Sequence, residues 1–256
     1  MFGIVLVRQG RKEGKKAVQC EMRMICGARF FAAAVEGSKR KFLEKQRMAR
    51  AAKRMMRAGV TIAAFPENFA YADVFAKYHI RAAADDCLRR AMAVKGARCA
   101  IAARGLAPGE CCAALLGERM SVQMGKTLME LAIHVRYTML NAGGGGGEIC
   151  SVLRREYGVS VLRNVGEEQL CRADLVVTFD DAQPCGRRDV IWIPAGSVTR
   201  AEGYHNALEE CAYVLTPEKE KQIPRECGRN AVLSLLMETG AVRPEELEVT
   251  EIMQNA

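Results

Sequence analysis

Three groups of residues in this chain have the types and the places to do chemistry. The first is Gly117, Arg119 and Ser121, in the turn GERMSVQ, which join a bare backbone, a cation and a hydroxyl. That set suits an anion, because glycine lets a phosphate reach main-chain N–H groups that a side chain would screen. The second is Asn141, just ahead of the glycine run Gly143 to Gly147. A hydrogen-bonding residue there stands where a dinucleotide site holds ribose hydroxyls, although Asn141 lacks the usual negative charge. The third is a pair of carboxylates, Glu67 in FPENF and Asp180 in VTFDD, each following an apolar run. Such groups can bind a metal or act as general acid and base. His79, His134 and His205 stand far apart in the chain, so no nucleophile–base pair is assigned.

These residues need elements to position them. CAALLG, RYTML, VSVLR, ADLVVTF and DVIWI are apolar runs of strand length. Helical patterns, one from Ser121 to His134 and one over EICSVLRREYG, separate the first three, as in βαβ units feeding a parallel sheet. Ligands of such sheets bind beyond the carboxyl ends of the strands, so Gly117, Ser121 and Asn141 are expected on one edge. Upstream, IVLVR, VQCEMRMIC and ARFFAAAVE read as an antiparallel meander, with RQGRKEGKK as a hairpin loop. A basic helix follows from an N-cap at Ser38 to Gly59, then VTIAAF as a buried strand, IRAAA as a weaker one and a helix from Asp85. If VTIAAF joins the same parallel sheet, Glu67 and Asp180 share its edge. GLAPGE is the best linker, which divides the chain into residues 1–106 and 107–256. A last helix, Arg229 to Thr239, stops at Gly240.

Each group has a plainer role beside the chemical one. Ser121 can cap a helix, glycine runs can be flexible connections, and Pro, Asn and Asp satisfy turn backbones. Gly125-Lys126-Thr127 ends like a phosphate-binding P-loop, but Met120 occupies the place of its leading glycine. Val122, Leu128, Leu131 and Val135 carry a helical apolar face straight through this tripeptide.

Ala173-Asp174-Leu175-Val176-Val177 is similar to the A-D-[LIV]-V-V strand of the shikimate and methylenetetrahydrofolate dehydrogenases, and Gly125-Lys126 resembles the V-G-K-P of the folate enzymes. The resemblance implies a Rossmann-like domain with NAD or NADP held near Gly117. The second and third glycines of G-x-G-x-x-G are absent after Gly117, and no lysine-containing catalytic domain of either family is visible upstream. The expected fold is α/β, a Rossmann-like mostly parallel sheet preceded by an antiparallel β-meander and a basic helix.

Charge is unevenly placed. Arg8 to Arg57 holds 16 Lys/Arg against 4 Asp/Glu, whereas Ala201 onward holds 5 against 11. Within the basic helix, Phe42, Ala49, Ala52 and Met56 form the expected buried stripe. Arg47, Arg50 and Arg54 then face solvent or an anionic partner. The 11 cysteines show no metal-ligand spacing and are expected to be buried thiols. No apolar run approaches the ~18 residues of a membrane span. MFGIVLV is shorter than a signal-peptide core, so the reading is cytoplasmic, with no membrane partner.

The residues together favour a non-catalytic or regulatory Rossmann-like protein with a degenerate dinucleotide site, binding a small anionic or nucleotide-like ligand at the strand carboxyl edge. One alternative is an NAD(P)-dependent oxidoreductase with a non-standard phosphate loop. The other is nucleic-acid or acidic-partner binding through Arg47, Arg50 and Arg54.

Overall fold

The computed structural model describes residues 1–8, 17–180, 182, 187, 189–196 and 208–254, so the RQGRKEGKK loop beyond Arg8, Asp181 and His205 lie outside the described residues. In chain order the first elements are β1 (Phe2–Arg8), β2 (Val18–Ile25), β3 (Ala28–Glu36), α1 (Lys41–Arg57), β4 (Ile62–Ala64), α2 (Ala72–Ala76), β5 (Arg81–Ala82) and α3 (Asp86–Ala103). Next come β6 (Cys112–Gly117), α4 (Val122–Ala132), β7 (Tyr137–Ala142), α5 (Gly147–Tyr157), β8 (Val161–Arg163), α6 (Glu167–Leu170), β9 (Leu175–Thr178) and β10 (Ile191–Pro194). The last are β11 (Leu208–Val214), α7 (Pro217–Glu220), α8 (Arg229–Glu238) and β12 (Glu248–Gln254).

By its contacts the chain divides into two compact units. One is Met1–Leu88 with Leu215–Glu246, and the other is Arg89–Val214 with Leu247–Ala256. This division falls inside α3 rather than at GLAPGE, and it groups α8 with the first unit. The physical reason is local: the Gly228 N–H at the start of α8 donates to the Phe65 carbonyl at 2.8 Å, which ties the helix to the end of β4.

In the first unit the sheet order is β2-β3-β1-β4-β5. The expected meander is corrected here. Only β2 and β3 pair antiparallel, while β1 lies parallel between β3 and β4. Ile4, Val5 and Leu6 are fully buried, so β1 needs cover on both faces and a partner on both edges. The β2–β3 turn is made by Cys26 and Gly27, both at positive φ, as a tight two-residue hairpin requires.

The basic helix also packs differently from expectation. Its buried stripe is Met48, Ala51, Ala52 and Met55, whereas Phe42 is 71% exposed and Met56 40%. Gly3 explains the choice of Met55, because a Cβ on Gly3 would collide with the Met55 methyl. Ser38 accepts a hydrogen bond from the Arg40 N–H, but the helix itself starts at Lys41. Arg47 donates to the Glu36 carbonyl at 2.8 Å, and Arg54 to the Val18 carbonyl at 2.9 Å. Both therefore anchor α1 to its own sheet.

The cysteines are free among the described residues, but only Cys111 and Cys227 are buried; the rest are half-buried and Cys171 is exposed. No helix of the described residues is long and apolar enough to cross a membrane.

The α1 anchors make a direct prediction. Arg54→Ala should destabilise the fold by about 1–3 kcal/mol, because it leaves the Val18 carbonyl without its charged donor. Arg50→Ala, at an exposed position, should stay within about 0.5 kcal/mol in urea unfolding. A pH dependence follows from Cys227. Burial pushes its thiol from the ordinary 9.0 up to about 12. The folded state then holds this proton more tightly than the unfolded chain, so the stabilisation is whole below pH 9 and is lost as pH rises towards 12. Tm should decline through this alkaline window, and less steeply in Cys227→Ala.

Candidate functional site

The second unit's sheet has the order β10-β9-β6-β7-β8, every pair parallel. Counted within the unit this is 5-4-1-2-3, the strand order of a Rossmann-like sheet. The chain leaves β6 towards β7 and β8 on one side, then returns to β9 and β10 on the other. The switch point lies between β6 and β9, so their carboxyl ends, Gly117 and Phe179–Asp180, flank the crevice where such folds bind ligands.

That crevice is lined by the protein's own side chains. A Cβ on Gly117 would lie 3.1 Å from the Met124 sulfur and 3.3 Å from the Phe179 Cβ, and both residues are buried. A pyrophosphate lying on Gly117 would have to displace Met124. Ser121 caps α4, its Oγ accepting from the Met124 N–H at 3.1 Å. Gly125 lies inside α4, where its missing side chain makes room for Ile149 of α5; the Gly-Lys-Thr tripeptide is helix interior. Across the crevice Asp180 stands at φ 55°, 3.9 Å from an Arg90 Nη, and Gly196 packs directly on its backbone. This half-exposed ion pair contributes little energy.

The glycine run has a definite conformation. Gly143 donates its N–H to the Glu118 carbonyl at 2.9 Å, and a Cβ there would collide with that oxygen. Gly144, Gly145 and Gly146 all have positive φ, the left-handed region that glycine enters at little cost. They wrap around Met120, whose Cβ lies 3.0 Å from a Cβ position on Gly145. Five glycines are thus used for close backbone approach and a left-handed path into α5, whose N-terminus no side chain caps. Arg163, at the end of β8, donates to the Gly145 carbonyl at 3.3 Å and reaches over Gly147.

The remaining sequence candidates divide clearly. Asn141 donates to the Val165 carbonyl at 2.9 Å and accepts from the Val165 N–H at 2.8 Å. Both ends of its amide hold the turn after β8. Asp174, from the dehydrogenase-like strand, accepts from the Cys112 N–H at 3.0 Å and so serves the start of β6. Glu67 is corrected: β4 pairs with β1 and β5, so Glu67 belongs to the first sheet and does not share an edge with Ser121, Asn141 and Asp180. Arg119 is exposed and makes no side-chain hydrogen bond or ion pair among the described residues. Met120 and Met124 stood out in the sequence as side chains in the way of a phosphate loop; Phe179, Arg90 and Arg163 were missed, and of these only Arg163 carried a signal, as a cation ending a strand pattern. Among the described residues no group of three or more His, Cys, Asp or Glu is set to hold a metal.

No family model matches the chain, and no curated protein matches it. Among solved structures it is similar to D-lactate dehydrogenase with NAD+ from Lactobacillus jensenii, at 12% identity and TM-score 0.27, covering 56% of this chain and 52% of that one. It is also similar to L-tryptophan dehydrogenase from Nostoc punctiforme, at 10% and 0.30, covering 59% and 44%. A third is a chorismate mutase/shikimate 5-dehydrogenase fusion protein from Clostridium acetobutylicum, at 8% and 0.22, covering 70% and 76%. The chain thus matches about half the length of the first two. The strand order carries the Rossmann-like fold.

The two kinds of glycine in the run should respond differently to substitution. Gly144→Ala meets open space and should cost about 1 kcal/mol, for its left-handed φ alone. Gly143→Ala meets the Glu118 carbonyl and should cost clearly more, about 2–4 kcal/mol in urea unfolding.

Proposed function

We propose that this is a non-catalytic, Rossmann-like protein that binds a small anionic or nucleotide-like ligand at the carboxyl edge of its second sheet. The ligand sits at the rim formed by Arg119, Ser121, the glycine run and Arg163, rather than on Gly117. The observation that supports this most is the packing of Met124 and Phe179 against Gly117, beside an Arg119 that has no partner among the described residues. A phosphate at the rim meets the uncapped N-terminus of α5, whose dipole favours an anion, and the Arg163 guanidinium beside it.

An oxidoreductase would need the crevice between Gly117 and Asp180 for its nicotinamide. It would also need a proton-transferring group there, and Asp180 instead faces Arg90. The reading therefore keeps the dehydrogenase-like scaffold and drops the hydride chemistry.

Thermal-shift titration with ADP, NADP and NAD tests it. At about a hundred times its dissociation constant a ligand should stabilise the fold by roughly 2.7 kcal/mol. Arg163→Ala should weaken ADP or NADP binding at least tenfold, Gly117→Ala should leave it unchanged, and no dinucleotide should be reduced. If Gly117→Ala abolishes binding while Arg163→Ala does not, the ligand lies in the crevice and the oxidoreductase reading replaces this one.

A further inference from the structure

A second opening lies at the other end of the same sheet. It is a cavity of about 320 Å3 whose walls include Arg98, Ile101, Ala102, Leu131, His134 and Val135. α3 ends at Ala103 and feeds the start of β6; α4 ends at Ala132, just before the start of β7. The cavity therefore sits at the amino-terminal edge of the strands, one length of α4 away from Gly117. For eleven residues that is about 16 Å.

Its chemistry is divided in two. Ile101, Leu131 and Val135 are buried beneath the opening, Ala102, Leu106 and Pro108 make its accessible apolar wall, and Arg98 and His134 are exposed. No carboxylate lines the space. Neither Arg98 nor His134 makes a side-chain hydrogen bond or ion pair among the described residues. An apolar pocket with a few convergent polar groups is the usual form of a small-molecule site.

We propose that this cavity binds a small amphiphilic carboxylate. Its chain lies against Ala102, Leu106 and Pro108, above the buried Ile101 and Val135. Its carboxylate pairs with the Arg98 guanidinium, whose planar fork matches a carboxylate, and His134 supplies a further donor. At about 320 Å3 the cavity lies at the small end of the range of small-molecule pockets, which suits a ligand of modest size. The site is separate from the rim proposed above and does not depend on it.

Isothermal titration of the full-length protein with octanoate, and with uncharged octanamide as control, tests the proposal. Octanoate should bind at least tenfold more tightly than octanamide, and Arg98→Gln should remove that difference. Ala102→Trp, at an exposed position on the wall, should weaken both at least tenfold, whereas Gly117→Ala and Arg163→Ala should change neither. Failure of octanoate to bind would overturn the proposal. So would equal binding of acid and amide, or an Ala102→Trp protein that binds as before. Should Ala102→Trp not fold, Arg98→Gln alone decides, since it changes only a surface side chain.

Discussion

The Gly143 N–H can reach the Glu118 carbonyl only because nothing projects from its Cα, and the carboxyl edge of the second sheet depends on that contact. It ties the loop after β7 to the loop after β6. Met120, two residues beyond Glu118, is thereby brought against Gly145 and Gly146, and Met124 is left to cover Gly117. Each step removes backbone that an open phosphate loop would present to a ligand. The cations outside the closed loop pair on this edge include Arg119 and Arg163, and the Asp180–Arg90 pair lies across the crevice.

Polar side chains elsewhere in the unit serve buried backbone in the same way. A parallel sheet covered on both faces leaves no water to satisfy an N–H or C=O at a strand end, and each such group needs a partner. Asn141 answers that need at Val165, and Asp174 at Cys112. Asn141 lies where a ligand-binding residue is expected from the strand pattern, Asp174 at the opposite end of its strand, and both are consumed by the fold. The first unit repeats the principle with charge, as Arg47 and Arg54 of α1 bind strand and loop carbonyls. A run of basic residues on a helix therefore holds two different populations: anchors that fix the helix to its sheet, and exposed cations such as Arg50.

The α/β class, the parallel second sheet and most of its elements were legible from apolar runs, helical periodicity and caps. VTFDD and GERMSVQ marked the two strand ends that flank the switch point. Which sheet a short strand joins was not legible. VTIAAF carries no mark that it pairs with β1 instead of β6, because strand partners are chosen by burial at long range rather than by local sequence. The meander failed for the same reason, since three successive strands can pair in sequence order or admit a later one. The stripe of α1 was misplaced by one position, because the absence of a side chain at Gly3, far away in sequence, selects Met55 over Met56. What fills the crevice was equally hidden. Met124 and Phe179 look like ordinary core residues until the topology places them over Gly117, and Met120 until it packs on Gly145 and Gly146.

The two ends of the second sheet now differ in a way that bears on what the fold is for. At the carboxyl edge, glycine and methionine bring backbone and side chain into contact, with Arg119 and Arg163 at the rim. At the amino edge, α3 and α4 end without filling the space between them, leaving an apolar wall beside Arg98 and His134. Each end carries a guanidinium, Arg119 at one and Arg98 at the other, that makes no side-chain hydrogen bond or ion pair among the described residues, in a chain of net charge +8. A guanidinium without a protein partner leaves a positive potential that an anion can meet. The same electrostatic argument therefore applies to both edges. The two proposed ligands differ in what accompanies the negative charge: polar main chain at the rim, and hydrocarbon at the cavity.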